Sequence, residues 1–284
     1  MVTTSSSPEF LRPGPRRPHR IVALCSDGAL ERHTCATLVG AGVDLVGIVL
    51  CARRGIRARA TFLARWARRH GLLHTTGQVL GRFYDRARNG RADARELGKL
   101  IHEAEDRAVL RQAAIPVVET DSYSRADTRE AIRRLGPDIF VVHTKYIVGP
   151  SVRALAPVAT IGGHPGITPF YRGQYPTFWA LSRGETHMVG WSVFLLDDGI
   201  DTGPILSQER VPIDSRTDSH LTIAWKGMIR IAERQAQAIR RLDAGDCLPL
   251  RPVREIPPGS YFGPPTLLEF LRYHRRYHRR QGIR

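Results

Sequence analysis

Lysine is nearly missing from this chain. Lys99, Lys145 and Lys226 are all it has, so arginine carries almost the whole positive side of a net charge of +16 over 284 residues. That bias has two readings: a coding preference of the genome, or attraction of a phosphorylated or polyanionic partner such as a nucleotide-sugar, a tRNA or a polyglutamylated folate. Long apolar runs are missing too. None approaches ~20 residues, which excludes a membrane-spanning helix. Cysteine is scarce, and Cys25, Cys35, Cys51 and Cys247 show neither a CxxC pair nor metal-like spacing. They are expected to be free thiols, mostly buried, in a reducing cytosol. His102-Glu103 lacks the second histidine of an HExxH pair, and no metal site is expected. The glycine fingerprint GxGxxG does not follow the first predicted strand, which argues against NAD or FAD.

What is present describes a globular chain. A hydrophobic share of 42% supports a sizeable core, and the length suits one large domain with at most a small appendage. Residues 1–20 are rich in Ser, Thr, Pro and Arg without an apolar stretch, so they are expected to be a disordered lead-in, not a signal peptide. Ile21 to Cys25 reads as a buried strand, Ala29 to Ala41 as a helix ending at Gly42, and Val43 to Leu50 as a second strand. Strand, helix and strand in about thirty residues form a βαβ unit, the start of a parallel sheet.

From Arg53 to about Arg111 the chain reads as a helical insertion. Phe62, Leu63, Trp66, Leu72, Leu73, Val79, Leu80 and Phe83 recur at helical spacing among arginines, which predicts a helix packed on the sheet edge with its arginines in water. A basic amphipathic surface for a membrane or nucleic acid is the other reading. The sheet resumes with Ile115 to Val118. A helix over Ser124 to Leu135 and a strand over Ile139 to Val142 follow, and His143 to Gly149 leaves that strand as a loop. Glu209 to Ile213 reads as a last strand, Ser219 to Leu242 as a long helix stopped by Gly245, and 251–284 as a basic extension.

Between these lies the stretch with chemical character. Val158 to Gly162 is a short strand that runs into His164-Pro165-Gly166-Ile167-Thr168-Pro169-Phe170-Tyr171-Arg172-Gly173. A second β-rich run, Trp191 to Leu196, ends in Asp197-Asp198-Gly199-Ile200-Asp201-Thr202-Gly203. A histidine leaving one strand and an aspartate leaving another can handle a proton together. Taken singly, His164 could be a loop histidine bonding a carbonyl, and Asp201 a turn-capping carboxylate.

His164, Pro169, Tyr171-Arg172-Gly173 and the Asp197-to-Gly203 turn together resemble the formyltransferases that use N10-formyltetrahydrofolate. That family includes methionyl-tRNA, glycinamide ribonucleotide and sugar-nucleotide N-formyltransferases. The resemblance spans roughly residues 20 to 250. It implies an α/β, Rossmann-like and mostly parallel sheet, here with the helical insertion and the small C-terminal extension. It implies formyl transfer from N10-formyltetrahydrofolate to the amine of a small biosynthetic substrate, with an amino sugar on a nucleotide as one candidate, in the cytoplasm. A tRNA-binding second domain is not recognisable, so methionyl-tRNA is not the expected acceptor; a homodimer stays open.

His164 and Asp201 are the catalytic residues the resemblance implies, the imidazole as oxyanion donor and proton shuttle, the carboxylate as its partner and as base for the amine or a bridging water. Thr144, Lys145, Tyr146 and Ile147, with Asp198, Gly199 and Ile200, would hold the folate. Tyr171, Arg172, Gly173 and Tyr175 would face the substrate, although Arg172 could equally bond loop carbonyls. One position departs from the family pattern: its catalytic Asn falls on Gly162. Losing an oxyanion donor typically costs about 10²–10³ in rate, and Thr144, Gln174 and Ser192 are candidate replacements. A formyl-folate hydrolase or a catalytically altered folate binder is the alternative within the fold. A basic nucleic-acid-binding protein is the alternative that charge alone supports.

Overall fold

The computed structural model describes residues 9–52 and 64–280. Seven strands form the central sheet: β1 (Ile21–Ser26), β2 (Leu45–Cys51), β3 (Val117–Thr120), β4 (Ile139–His143), β5 (Ala159–His164), β6 (Gly190–Leu195) and β7 (Ile205–Arg210). Their spatial order is β3-β2-β1-β4-β5-β6-β7. The first five are parallel, and β6 runs antiparallel to both its neighbours. Every residue of β1 and of β4 is buried, as apolar runs in the middle of a two-faced sheet must be.

Alternation along β1 divides the core. Ile21 and Ala23 join the cluster containing Leu38 of α1 (Ala29–Gly40), and Val22 and Leu24 join the cluster on the opposite face. Four helices follow in sequence: α2 (Leu72–Leu100), α3 (Glu103–Ala113), α4 (Ala126–Leu135) and the short α5 (Pro150–Arg153). Ile132 of α4 and Val152 of α5 complete the second face. The first face is closed by α6 (Pro176–Arg183) and by α7 (His220–Ala244), whose Ile231, Ile239 and Leu242 are fully buried. Ser219 starts α7 with a capping box, its hydroxyl accepting from Leu221 N and Thr222 N, and Gly245 ends it in the left-handed region at φ 97°.

The described segments nearest the two termini are built into this body. Phe10–Leu11 pairs with Leu248–Pro249, and buried His19 lies 2.5 Å through Nδ1 from Asp243 Oδ1. The part of the expected lead-in from residue 9 onward is therefore ordered. Its apolar Leu11 and the His19–Asp243 contact hold it where composition offered only Pro and Arg. At the other end Tyr261–Phe262 lies parallel to Arg172–Gly173, and α8 (Leu267–Arg280) buries Phe270 and Tyr273.

The insertion is helical but turned inside out. Phe62 and Leu63 lie outside the described residues; Leu72, Leu73, Leu80 and Phe83 are 73%, 91%, 48% and 68% exposed. The inward face of α2 is Thr75, Gln78, Gly81, Asp85 and Asp93. This corrects the expectation that the apolar residues pack and the polar ones face water. The reason is what α2 packs against. Gln78 donates to Pro264 O (2.8 Å) and accepts from Trp66 Nε1 (2.7 Å), and Asp93 accepts from the cap hydroxyl of Ser219 (2.6 Å). A side chain at Gly81 would press the backbone at Thr266 and Leu267 to 2.9 Å. A backbone partner needs small and hydrogen-bonding residues, not leucine.

Candidate active site

β5 delivers His164 to the C-terminal rim of the sheet, and β6 returns beside it with His164 opposite Ser192. The Ser192 hydroxyl donates to Gly166 O (2.7 Å) and accepts from Thr168 N (3.1 Å) and Gln208 Nε2 (2.8 Å). Those bonds pin the loop after His164, and they commit Ser192 to holding the backbone. The loop then brings its own carbonyl to the imidazole: His164 Nε2 is 2.8 Å from Tyr171 O. A carbonyl only accepts, so Nε2 carries a hydrogen. Nδ1 points the other way, 3.5 Å from Asp201 Oδ2.

Asp201 leaves β6 through the Asp197-to-Gly203 turn with φ 54°, a left-handed backbone that aspartate tolerates better than most side chains. Asp197 Oδ1 accepts from Gly199 N (3.0 Å) and Thr202 Oγ1 (2.7 Å), winding the turn. Asp201 Oδ2 also accepts from Gly173 N (2.9 Å). One carboxylate oxygen thus joins the two motifs, far apart in sequence, and its remaining direction is the imidazole. His164 is 6% exposed, so its ring is shielded from bulk water.

The position beside His164 is filled by hydrocarbon. A side chain at Gly162 would run into Leu196 Cδ1, and the Leu196 backbone is placed beside β5 by its N–H on Thr160 O (2.9 Å). Glycine here makes room for leucine, and no amide stands at this place. Of the candidate replacements, Ser192 is engaged as described, Gln174 is exposed, and the Thr144 hydroxyl lies 3.2 Å from Ser26 Oγ and accepts from Tyr146 N (3.2 Å).

Thr144, Lys145, Tyr146 and Ile147 form the loop after β4. Ser26, at the end of β1, also accepts from Lys145 N (3.2 Å), tying the loop across the point where strand order reverses, the place where open parallel sheets take ligands. Arg153 straps this loop to the acidic turn, donating to Val148 O (3.0 Å) and to Asp198 Oδ1. Asp198, Gly199 and Ile200 therefore sit at the same rim as residues 144–147. Ile147 and Ile200 are 82% and 47% exposed there, apolar surface that suits one face of a flat ring.

Of the substrate candidates, Arg172 is consumed by architecture. Nε and Nη2 donate to Ser260 Oγ (3.2 and 3.1 Å) and Nη1 to Ile200 O (3.0 Å). Gly173 serves Asp201 through its N–H. Tyr171 is 2% exposed, stacks on Phe262 and donates its hydroxyl to Glu185 (2.7 Å). A cavity of about 330 Å³ borders its ring, lined also by Phe170, Arg183, Glu185 and His187. Tyr175 turns elsewhere, its ring near His220 and Phe270. Arg153, Leu196 and Ser260 were beyond sequence reasoning. Ser260 stands 88 positions from Arg172, and no motif marks it. Among the described residues no cluster of His, Cys, Asp or Glu could hold a metal ion.

A family model described as formyl transferase matches residues 76–236. Methionyl-tRNA formyltransferase of Anaeromyxobacter sp. (strain K) is 31% identical over 155 residues, 54% of this chain and 49% of that protein. The enzyme of the same name from Synechococcus sp. (strain JA-3-3Ab) is 33% identical over 145 residues, 50% and 44% of the two chains. The chain thus spans about half the length of the curated relatives it matches. Two solved structures share the fold. A 4-N formyltransferase from Francisella tularensis aligns with a TM-score of 0.52 at 15% identity, over 87% of this chain and 77% of that one. A phosphoribosylglycinamide formyltransferase from Anaplasma phagocytophilum aligns at 0.54 and 12% identity, over 84% and 99%.

Proposed function

The chain belongs to the formyl transferase family, and from that premise we propose that it transfers a formyl group from N10-formyltetrahydrofolate to a primary amine on a small molecule. One observation carries the reading: the His164 imidazole and the Asp201 carboxylate face each other at 3.5 Å on the sheet rim, each oriented by a backbone partner, Tyr171 O for the ring and Gly173 N for the acid. With Nε2 bound to a carbonyl, Nδ1 is the nitrogen free to gain or lose a proton, and Asp201 is the group that receives or returns it. The shielded setting strengthens that exchange relative to water.

The residues fit a folate at the rim. Thr144 to Ile147 and Asp198 to Ile200, strapped by Arg153, would hold it, with Ile147 and Ile200 against its ring. Bound there, the folate supplies the one-carbon unit. The amine's proton has Asp201 and His164 Nδ1 as its acceptors. The cavity of about 330 Å³ beside Tyr171 is lined by Arg183 and Glu185 but by neither His164 nor Asp201, so the pair and not this cavity supports the reading. An amino sugar on a nucleotide is the first acceptor to try. The experiment is release of tetrahydrofolate from the formyl donor with a series of amines, followed by absorbance. Wild-type turnover that disappears in both His164→Ala and Asp201→Asn supports the proposal; equal turnover in all three proteins ends it.

The hydrocarbon at the Gly162 position favours a second outcome of the same assay. Release of formate with no amine present would make the chain a hydrolase using the same pair.

A further inference from the structure

The outward side of α2 carries a row of exposed apolar residues. At about 100° per residue, Leu72, Leu73, Leu80 and Phe83 fall within an arc of roughly 100°, together with exposed Thr76 and Ala87. The buried residues Thr75, Gln78, Gly81, Asp85 and Asp93 occupy the other side. The stripe therefore points straight away from the protein. Isolated exposed leucines need no explanation, but a row of them on one helix face marks a contact surface.

Charge identifies what it contacts. Of the acidic residues of α2, Asp85 and Asp93 are turned inward and buried and Glu96 is paired with Lys99 (2.7 Å), whereas Arg86, Arg91 and Arg95, which border the stripe, are exposed. Exposed Arg68 and Arg69 precede the helix. Further along the chain, α8, which packs on α2, exposes Leu268 and Leu271 beside Arg272, Arg275 and Arg276. Two copies of such a face would bring arginine against arginine. A flat surface with an apolar interior and anionic heads satisfies both the leucines and the arginines, because long cationic side chains can reach the heads while the stripe sinks between them.

We propose that α2 docks the protein on anionic phospholipid bilayers, lying in the interface with Leu72, Leu73, Leu80 and Phe83 in the acyl boundary and the flanking arginines at the phosphates. The helix does not cross the bilayer: no helix among the described residues is long and apolar enough. Single amphipathic elements give reversible binding that depends on lipid charge.

The test is co-sedimentation of the full chain with phosphatidylglycerol-containing vesicles and with pure phosphatidylcholine vesicles, at low and high salt. Wild type should pellet with the anionic vesicles only, and less as salt rises. A combined Leu73→Ser, Leu80→Ser, Phe83→Ser variant should pellet at least about tenfold less while keeping its thermal transition, since the three positions are exposed. Arg86→Glu with Arg91→Glu, at the two edges of the stripe, should weaken pelleting by a separate route. Wild type left in the supernatant overturns the proposal, and so does a serine variant that pellets like wild type. A wild-type dimer that the serine variant turns into a monomer would assign the stripe to a second copy. A serine variant that loses affinity for an RNA oligonucleotide but still pellets would assign it to nucleic acid.

Discussion

Two histidines of this protein each stand 3.5 Å from an aspartate, and they do different things. His164 meets Asp201, and His220 meets Asp85. At the rim, a backbone carbonyl holds the far nitrogen of His164 and a backbone N–H holds Asp201. Beside α7, His220 is boxed by Tyr175, Phe178, Phe270 and Tyr273, and neither ring nitrogen has a hydrogen-bond partner among the described residues. Burial pushes the imidazole of His220 down to about 3 and the carboxyl of Asp85 up. The second contact therefore involves an uncharged imidazole and is not an ion pair. A histidine beside an aspartate is not a site by itself; the backbone partners that orient His164 and Asp201 at the sheet rim set that pair apart.

Variants at either histidine separate the two contacts. The largest effect belongs to His164→Ala, expected to lower tetrahydrofolate release by roughly 10³-fold, within the range of general acid–base catalysis, while the matching His220→Leu leaves turnover within about twofold. Loss of turnover in His220→Leu with an unchanged thermal transition would erase the distinction. Gly162→Asn forces an amide into the space of Leu196 and should cost about 1–3 kcal/mol in urea unfolding, the usual range for overpacking. Adding Leu196→Ala should return most of that stability. If the single variant is as stable as wild type, Leu196 does not fill the position.

His143 sharpens the account through pH. Its Nε2 is 2.7 Å from Gln235 Oε1, and burial pushes its pKa down to about 4. Between that value and the unfolded pKa of about 6.5 the unfolded chain binds more protons. Stability from this group is thus full above pH 6.5 and declines as pH falls toward 4. With a downward shift of this size the decline is on the order of 3 kcal/mol, and His143→Met should flatten it in unfolding curves between pH 7 and pH 4.5. His220→Leu should flatten the same window, opposed by Asp85 and Asp93, whose raised carboxyl pKa values favour the folded state on acidification. The smallest expected effect is on stability: His220→Leu should change it by about 1 kcal/mol or less at pH 7, since no hydrogen bond is lost.

Much of this was readable in the chain. The buried strands at Ile21 and Ile139 show as apolar runs and α7 as a long helix stopped by Gly245, and the motif residues His164 and Asp201 stand out. But β5 and β6 are antiparallel, so Asp201 reaches His164 only because the Asp197-to-Gly203 turn folds back and is held by Gly173 N. What could not be read is what depends on distant backbone. Periodicity finds the faces of α2 but not which one is inside; Pro264 O, Thr266 and the Ser219 cap decide that, and they lie more than a hundred positions away. Arg172 shows the same limit: a guanidinium in a loop reads as a ligand clamp until Ser260 and Ile200 O are seen to occupy it. Tyr175 adjoins the motif, yet its left-handed backbone at φ 55° sends the ring toward α8.

The most direct test of the paired site is a double-mutant cycle on tetrahydrofolate release. If His164 and Asp201 act as one unit, the combined variant should be no slower than His164→Ala alone, because neither group passes the amine's proton on without the other. Two losses that simply multiply would show that the two groups act independently, and the account of the site would be wrong.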